Sequence, residues 1–584
     1  MRYLRMLSNS VAAGCLATAY VLVVVLQLNP AIPFQPAVLG SLVTTAGLFY
    51  VVHCTVICYV LLVVRQLLAR EFFSPGWLSV GVLVWLGAAA AAAGAALMWA
   101  NVSTFARVLD DSTVAAMTGG ALALGGAAIS FLLVAWLRRA YGRRGRGVWA
   151  FLVCAVAAAS LVVPLALRGT GAVSLLDARP LDVTMDSSGP PEPGARVTVI
   201  ALDAASLEFI ARATAEGRLP NFGRLLDAGA VVHLATIHPT SAEAVWAAAA
   251  TGKLPLGNGV RSASIYHLAG GRDVLELLPD YCFANQLVRL GFLVEEPHTA
   301  ATLRTRTLWS ILSTHGLSVG AVGWPLTEPA PAVRGYVVGD TYLRLAGTPS
   351  GVVDSPAVYP AGIQREVTAS MEHALASISA FSKDAGSVLD RRQQEAGRTD
   401  RVFDRIARDL VASRPPQVVL TRYQGLDPIG HYFLRYASPL EFGDLPDAGR
   451  RGLGAVLEDH YRFIDEAIGR AIEALGPDDL LLVASGYGME PMGMGKRLGE
   501  RVLGDPYLSG THDAAPDGFL LAYGAPVAPG HPLARASVVD ITPTILYFLG
   551  LPIGRDMDGY ARADLFRRTF TDRRPISFIP TYDR

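Results

Sequence analysis

The sequence predicts a bundle of five membrane-spanning α-helices followed by an α/β domain whose mostly parallel sheet is covered by helices on both faces. Five apolar runs of nearly membrane-spanning length precede residue 170, and a stretch rich in Pro, Gly and Ser follows them. After residue 196, short β-branched runs alternate with helical patterns, which is typical of a doubly wound sheet. The chain has 584 residues, of which 52% are apolar, and a mean hydropathy of +0.36, so we expect part of it to lie in lipid.

The five apolar runs each come close to the length that crosses roughly 30 Å of hydrocarbon. They are Ser10 to Leu28, Ala37 to Val64, Trp77 to Trp99, Thr113 to Leu137 and Val148 to Leu167. The first follows Arg2 and Arg5, as the apolar part of a secretory signal would. Four more spans follow it without a clear cleavage site, so we predict that it is retained.

Arginines mark alternate loops between these runs: Arg2 and Arg5, then Arg65 and Arg70, then Arg138, Arg139, Arg143, Arg144 and Arg146. Positive residues favour the cytoplasmic side, so we expect a cytoplasmic N-terminus and, after five crossings, an extracytoplasmic C-terminal domain. The lipid bilayer is therefore the first predicted partner. The formal net charge is zero and no other basic tract occurs, which argues against nucleic acid as a partner.

The predicted organisation has three parts, which are a membrane domain at 1–167, a linker at 168–196 and an α/β domain at 197–584. Ser187 to Gly194, rich in Pro and Gly, cannot sustain a helix or strand and marks the linker. Four of the five cysteines lie in apolar runs and only Cys282 lies in the later part. The α/β domain therefore has no internal disulfide framework.

Polar residues follow two of the predicted strands. The β-branched run from Val197 to Leu202 ends in Asp203, which could cap the next helix or serve a site. Thr240 and Ser241 precede an Ala-rich helical stretch. Hydroxyl groups there could cap the helix or attack a phosphoryl group, and their position alone favours capping.

A further buried strand, Val418 to Leu420, is predicted to run into a loop that carries Asp427 and His431. Open α/β sheets keep their sites at the carboxyl ends of strands. A carboxylate oxygen with an imidazole nitrogen suits zinc or a similar divalent ion. The alternative is an ordinary loop with a turn Asp, a glycine at positive φ (Gly430) and a loop His.

Motifs distributed in order over residues 197 to 565 resemble the type I phosphodiesterase/nucleotide pyrophosphatase branch of the alkaline phosphatase superfamily. They are the strand ending in Asp203, Thr240-Ser241 ahead of Trp246, Thr251 to Val260, Thr307 to Leu312, Gly323 to Pro325, Asp427 to His431, Gly510 to His512 running into Pro516 to Phe519, Val539 to Leu546 with Gly550, and Asp556 to Gly559. The resemblance implies an alkaline-phosphatase-like fold for this domain.

The resemblance also implies a chemistry, in which two metal ions clamp a phosphoryl group while a Thr or Ser alkoxide attacks it, and the phospho-enzyme is then hydrolysed. One ion, by preference zinc, would be held by Asp427, His431 and His512. The other would be held by Asp203, the nucleophile's oxygen and an Asp-His pair.

That Asp-His pair is missing, because Gly486-Tyr487 stands in its place. Gly offers no side-chain ligand and a neutral Tyr is a poor one, so one metal site is expected and tight binding at the second is not. Glu243, Glu490 and His238 are candidates to replace the lost ligands, although each is more simply interpreted as a solvated or loop residue.

The position of the nucleophile depends on the register. Counted back from Thr251-Gly252 with the family's spacing, it falls on Ala242. A slip of one or two residues brings in Ser241 or Thr240, and we predict Thr240 first.

The predicted function is that of a membrane-anchored extracytoplasmic phosphodiesterase or phosphohydrolase that acts on a phosphate ester or phosphodiester. One alternative is a pseudoenzyme that binds a phosphorylated ligand or a partner without turnover. Another is a lipid-linked phospho-headgroup transferase, because five spans before an exported domain resemble lipoteichoic acid synthases and phosphoethanolamine transferases. Residues 340–398 fit the family least and are expected to shape the substrate cleft, with Met371 to Phe381 as a core-packing helix.

Overall fold

The computed structural model describes residues 2–68, 79–141, 146–169, 194–269, 274–346, 356–379, 388–437, 453–530 and 535–583. These residues form two compact units, one from 1–177 and 264–297 and the other from 178–263 and 298–584. Most of the predicted linker, residues 170–193, lies outside the described residues. Residues 264–297, which the sequence analysis placed in the α/β domain, group instead with the N-terminal helices.

The first unit contains five helices that are long and apolar enough to cross a membrane, as predicted. They are Arg2–Leu28, Pro36–Leu68 with a π-helical turn at Val43–Gly47, Val80–Phe105, Asp111–Ala140 and Arg146–Arg168. The side chains of Ser79 and Asp110 cap the third and fourth helices. The predicted start of the third run, Trp77, lies outside the described residues.

Small residues let these helices pack closely. A Cβ atom at Gly87 would overlap the ring of Phe131, and one at Gly120 would overlap the sulfur of Met98. Helices in lipid associate through such close backbone approach, since burial of apolar surface gives little driving force there. Gly87 and Gly120 therefore serve helix packing, whereas a Cβ atom at Gly125 or Gly126 would meet nothing within 4 Å.

Residues 264–297, called the insert below, form a small three-stranded antiparallel sheet in the first unit. Its strands are Ser264–Leu268 in the centre with Val274–Leu275 and Leu293–Pro297 on either side, and the short helices Asp280–Cys282 and Ala284–Arg289 connect them. Buried apolar residues of the insert and of the bundle share one core. These residues are Leu268, Leu275, Cys282, Leu287 and Leu293 with Leu22, Val25, Leu26, Ile32, Leu42, Ala46, Phe49 and Tyr50.

Polar groups of the bundle also hold the backbone of the insert. The amide of Asn29 accepts hydrogen bonds from the N–H groups of Glu276 (2.8 Å) and Leu277 (3.0 Å) and donates to the carbonyl of Leu277 (2.9 Å). The Tyr50 hydroxyl donates to the carbonyl of Cys282 at 2.8 Å. Asn29 directly follows the first helix and Tyr50 lies within the second, so the insert is fastened to both helices.

The second unit is built on a nine-stranded mixed sheet. From one edge to the other its strands are Ala536–Ser537, Ala230–Ala235, Asp517–Tyr523, Leu480–Tyr487, Val197–Leu202, Val418–Tyr423, Val319–Val322, Gly335–Val338 and Val358–Tyr359. The five strands from Leu480–Tyr487 to Gly335–Val338 run parallel, while Asp517–Tyr523 is antiparallel to both neighbours. The predicted mostly parallel sheet is therefore confirmed.

Helices cover both faces of this sheet. They are Leu207–Ala215, Pro220–Ala228, Ala242–Thr251, Pro255–Asn258, Leu308–Thr314, Tyr342–Ala346, Gln364–Ser379, Val388–Ser413, Leu426–Ala437, Ala455–Glu473, Met494–Leu503, Ile541–Phe548 and Arg568–Thr571, with single 3₁₀ turns at Ala300–Thr302, Ala361–Ile363, Val538–Asp540 and Ala563–Leu565. Two short strand pairs, Glu490–Pro491 with Gly510–Thr511 and Ile553–Gly554 with Phe578–Ile579, lie beside the sheet.

Strand residues alternate between the two layers because successive side chains point to opposite faces. Ile200, Leu202, Leu481 and Val483 pack with the Pro220–Ala228 and Ala455–Glu473 helices in one core. The predicted helix at Met371 is part of Gln364–Ser379, and Met371 packs on a second core, as expected. Phe381 lies outside the described residues.

Candidate metal centre

Three parallel strands end together at one edge of the sheet. Val197–Leu202 lies between the other two, and Leu202 is in register with Ser485 on one side and Tyr423 on the other. Asp203 follows the first strand directly, and the helix carrying Asp427 follows Tyr423 after two residues. The sheet therefore brings polar residues from distant parts of the chain to its carboxyl edge.

Asp427 and His431 lie on the helix Leu426–Ala437, so the predicted loop at this place is wrong. Pro428 is compatible with a helix there because the first turn of a helix needs no intrahelical N–H partner. A spacing of four residues places the two side chains on one helix face, with Asp427 Oδ2 at 3.7 Å from His431 Nε2. The helix holds the two candidate ligands in a more rigid relation than a loop would.

His512 joins this pair from a distant part of the chain. Its Nε2 atom lies 3.6 Å from Asp427 Oδ1, and the imidazole rings of His431 and His512 are 5.1 Å apart between centroids. In the described part of the chain, Asp427, His431 and His512 form the one set of His, Cys, Asp or Glu side chains whose ligand atoms all lie within 4.8 Å of one another. The structure thus brings together the three residues predicted to share an ion.

Backbone carbonyl groups set the orientation of both imidazoles. His431 Nδ1 lies 2.9 Å from the carbonyl of Gly510, and His512 Nδ1 lies 3.1 Å from the carbonyl of Thr240. A carbonyl can only accept, so each Nδ1 carries a proton and each Nε2 is the ring nitrogen that faces the other candidate ligands. Such outer contacts are typical of metal-binding histidines, since they fix the tautomer that ligates.

The three residues fit a divalent cation. Asp427 Oδ1 is buried and has no hydrogen-bond partner among the described residues, so its lone pairs are available to an ion. One carboxylate and two neutral imidazoles are also a common donor set for catalytic zinc, which keeps a fourth position open. All three side chains are partly exposed, as access to substrate requires.

Asp203 does not join this set, because it is paired with Arg422. Arg422 Nη2 lies 2.5 Å from Asp203 Oδ2, and Nε lies 3.0 Å from Oδ1. The indole N–H of Trp246 donates to Asp203 Oδ1 at 2.6 Å. Asp203 was predicted to be a ligand of the second ion. A buried guanidinium instead lies where that ion was expected.

Two more acidic side chains lie around Arg422. Asp340 Oδ2 is 3.7 Å from Arg422 Nη1, and Glu243 is close enough for its carboxyl group to interact electrostatically with both Arg422 and Asp203. Burial raises the pKa of Glu243 to about 7 and that of Asp340 to about 6, although the Arg422 charge opposes both shifts. Burial alone would lower the pKa of Arg422, but the nearby carboxylates of Asp203 and Asp340 outweigh it, so Arg422 stays charged.

Gly486 and Tyr487 have no ligand function in this arrangement. A Cβ atom at Gly486 would overlap Cγ1 of Val245, so the space for a side chain is already filled. Burial raises the pKa of the Tyr487 phenol well above its ordinary value, with Asp203 and Asp427 adding to the effect, so the phenol is neutral. Its hydroxyl is buried without a hydrogen-bond partner among the described residues, and its ring lies 5.3 Å from that of His512 between centroids.

Ser241 is the N-cap of the helix Ala242–Thr251, because its side chain accepts a hydrogen bond from Ala244 N at 3.2 Å. Of the two roles considered for Thr240 and Ser241, helix capping therefore applies to Ser241. The Thr240 hydroxyl donates to the carbonyl of Ile237 at 2.9 Å and lies 3.3 Å from His238 Nδ1. The Thr240 carbonyl accepts a hydrogen bond from His512 Nδ1. Thr240 thus lies beside His512, one of the three candidate ligands.

Of the candidates to replace the lost ligands, Glu243 lies near Asp203, whereas Glu490 pairs with Thr511 in a short strand pair. His238 contacts Thr240. Sequence reasoning missed Arg422 and Asp340. A signal for Arg422 was available, because an arginine inside a strand buried on both faces requires a carboxylate partner.

Comparisons with known proteins were made for the whole chain. A family model described as type I phosphodiesterase/nucleotide pyrophosphatase matches residues 197–509. No curated protein matches the chain by sequence. Solved structures give distant likenesses, with TM-scores below 0.5, so the family assignment stands on the matched family model alone.

Three of these structures are described here. Alkaline phosphatase PafA is 12% identical with a TM-score of 0.42, and 65% of this chain and 100% of that chain are covered. Murine ectonucleotide pyrophosphatase/phosphodiesterase 5 is 11% identical with a TM-score of 0.37, covering 64% and 100%. The human protein of the same name is 12% identical with a TM-score of 0.36, again covering 64% and 100%.

Proposed function

The chain belongs to the type I phosphodiesterase/nucleotide pyrophosphatase family of phosphoric ester hydrolases, and on this basis we propose that it is a membrane-anchored phosphodiesterase that acts outside the cytoplasm with a divalent metal. The observation that carries the proposal is the convergence of Asp427, His431 and His512, with both Nε2 atoms and one carboxylate oxygen free to bind an ion. Zinc suits this donor set best.

When bound, a divalent cation would supply charge stabilisation for a phosphoryl oxygen. The protein's own residues would bind the cation and set the orientation of the ligands. Asp427 and His431 would hold the cation from one helix face, and His512 would hold it from the segment after Gly510. The carbonyls of Gly510 and Thr240 keep the imidazole protons on the Nδ1 atoms, which prevents either ring from turning away.

Thr240 is the proposed nucleophile. Its backbone is hydrogen-bonded to His512, and its hydroxyl, which donates to the carbonyl of Ile237, lies 3.3 Å from His238 Nδ1. A turn of the hydroxyl hydrogen from the Ile237 carbonyl toward Nδ1 makes His238 the acceptor of that proton. Ser241 is the less favoured candidate, because its oxygen already caps a helix. The two alanine variants separate these roles, since loss of a nucleophile abolishes turnover whereas loss of a cap lowers stability.

The proposed location rests on the arginine distribution and is supported within the first unit. Arg168, at the end of the last helix, donates to the carbonyls of Asn29 (2.8 Å) and Ile32 (2.5 Å), which follow the first helix. Those ends therefore lie on one side of the bundle, opposite the Arg-rich loops. Reporter fusions after Arg168 that require export would be active, and a reporter that folds only in the cytoplasm would be silent.

The activity is tested on the full-length chain in detergent. We expect hydrolysis of bis-p-nitrophenyl phosphate that is lost in chelator and restored by Zn²⁺. Asp427→Asn and His431→Gln should each lower kcat/KM by about a thousandfold, since a metal clamp contributes several kcal/mol. Matched controls are Asp459→Asn and His373→Gln, because both side chains are exposed in the same unit. A chain without metal or turnover would contradict the proposal.

A second candidate function is binding of a phosphorylated ligand without turnover. The observation that favours it is the helix start, where Ala242 occupies the position that the family spacing assigns to the nucleophile. In that case, the chain binds Zn²⁺ and retains a phosphodiester, and Thr240→Ala changes neither property. Turnover that depends on Thr240 excludes this candidate.

A further inference from the structure

Arg422 is surrounded by more negative groups than an ordinary structural arginine needs. Asp203 binds it in a bidentate manner at 2.5 Å and 3.0 Å, Asp340 lies at 3.7 Å, and Glu243 contributes from the adjacent helix. The Arg422 side chain is 5% exposed, so this is a buried cation among carboxyl groups from three chain segments. Such a set of oxygens would itself attract a divalent ion if the guanidinium were absent.

The guanidinium and the indole N–H use the hydrogen-bonding capacity of Asp203. Oδ1 accepts from Arg422 Nε and Trp246 Nε1, and Oδ2 accepts from Arg422 Nη2. The remaining Arg422 nitrogen, Nη1, donates to the carbonyl of Gly323 at 3.3 Å. A cation at Asp203 would have to displace these bonds and would leave Arg422 buried and unpaired, which is strongly unfavourable.

This place adjoins the three proposed ligands. The Asp203 carboxylate is near enough to Asp427 for the two charges to interact, and Tyr487 interacts with both. We infer that Arg422 is a built-in second cation, so that the site takes one metal ion per chain and the guanidinium provides the neighbouring positive charge. The inference rests on the proposed function, because it assumes an ion at Asp427, His431 and His512.

A guanidinium differs from a metal ion in ways that matter here. Its charge is single, spread over a plane and impossible to remove with a chelator or at physiological pH. Arg422 is therefore a positioning residue, which keeps Asp203 neutralised in every metal-loaded state. One consequence is that metal loading follows a single binding step.

Metal stoichiometry of the full-length chain in detergent tests the inference. After saturation with Zn²⁺ and removal of the free ion, elemental analysis should give one zinc per chain. In Arg422→Ser, the freed carboxylates of Asp203 and Asp340 should raise the count to two, and Arg422→Lys should keep it at one. Arg470→Ser is the matched control, because Arg470 pairs with buried Asp404 instead; its count should stay at one.

The outcomes separate the two proposals. No zinc in the wild-type chain would contradict the metal site and the inference together. Two zinc ions in the wild-type chain would overturn the inference and leave the proposed function standing. If Arg422→Ser folds and still binds one ion, Asp203 and Asp340 do not form a second cation position, and the inference fails. If Arg422→Ser does not fold, the decision rests on the wild-type chain and Arg422→Lys, where a count of two overturns the inference and a count of one supports it.

Discussion

Asp400 and His460 are hydrogen-bonded to each other beside the start of the helix that carries Asp427 and His431, with His460 Nε2 at 2.8 Å from Asp400 Oδ2. Both side chains are buried. Asp400 also accepts hydrogen bonds from the N–H groups of Gln424 and Gly425, each at 2.9 Å. It thereby anchors the backbone from which Asp427 and His431 project. A Cβ atom at Gly425 would come within 2.5 Å of His460 Nε2, so only glycine fits there.

This anchor makes Asp400 a positioning residue for the metal site. Asp400→Asn replaces a charged acceptor by an amide with one acceptor oxygen, so at least one backbone N–H loses its partner. We expect zinc affinity to fall about tenfold or more, as for other outer contacts of metal sites. Competition with a fluorescent zinc chelator measures it. Asp404→Asn, which removes another buried carboxylate from the same helix, should lower thermal stability but leave zinc affinity unchanged; equal losses of affinity would contradict the prediction.

The filled space beside Gly486 predicts a steric coupling with Val245. Gly486→Ala should lower the free energy of unfolding by about 1–3 kcal/mol, because the new methyl group overlaps Val245 Cγ1 in a fully buried place. In the Val245→Ala background the same change should cost less than about 1 kcal/mol. A double-mutant cycle by thermal denaturation measures the difference, and additive effects would refute the coupling. For the same reason, Gly486→Asp with Tyr487→His should not create a metal site while Val245 remains.

The buried carboxyl group of Glu243 should make the stability of the protein depend on pH. Burial raises its pKa to about 7, while an unfolded Glu titrates near 4.3, at roughly its ordinary value. Between these values the unfolded chain has released a proton that the folded chain keeps, so stability falls as pH rises from about 4 to about 7. Glu243→Gln should be more stable than wild type at pH 8, with the difference shrinking towards pH 4. Melting temperatures of the metal-free wild type and Glu243→Gln across this pH range measure the difference, with the exposed Glu473→Gln as control. A difference in melting temperature that stays constant with pH would exclude the mechanism.

The hydrogen bonds of Asn29 are expected to determine how stably the insert is held within the first unit. Asn29→Ala removes three hydrogen bonds to the backbone of Glu276 and Leu277 and leaves those groups to find water. A buried polar group without a partner costs about 1–3 kcal/mol, so amide exchange in residues 274–283 should become faster by tenfold or more. Hydrogen exchange with mass spectrometry measures it. Ser130→Ala, which loses only a bond to its own helix, should leave these peptides unchanged.

Much of the architecture was readable from the sequence. The five long apolar runs form helices that are long and apolar enough to cross a membrane, as length and hydropathy predicted without tertiary contacts. The strands beginning at Val197 and Val418 were predicted for a similar reason, since continuous β-branched runs are typical of buried parallel strands. The residue types at Asp427, His431 and His512 pointed to a metal before any distance was known.

Only the tertiary structure decided the electrostatics around Asp427, His431 and His512. Local sequence could not show that Arg422 pairs with Asp203, because the two are 219 positions apart and meet only through strand register. Neither could it show that Val245 fills the space at Gly486, or that the insert groups with the helices and not with the α/β domain. Sequence determines local periodicity and the chemistry of each side chain. Which charge neutralises which depends on packing between distant segments, and that packing is the basis of our proposal that the site takes one metal ion.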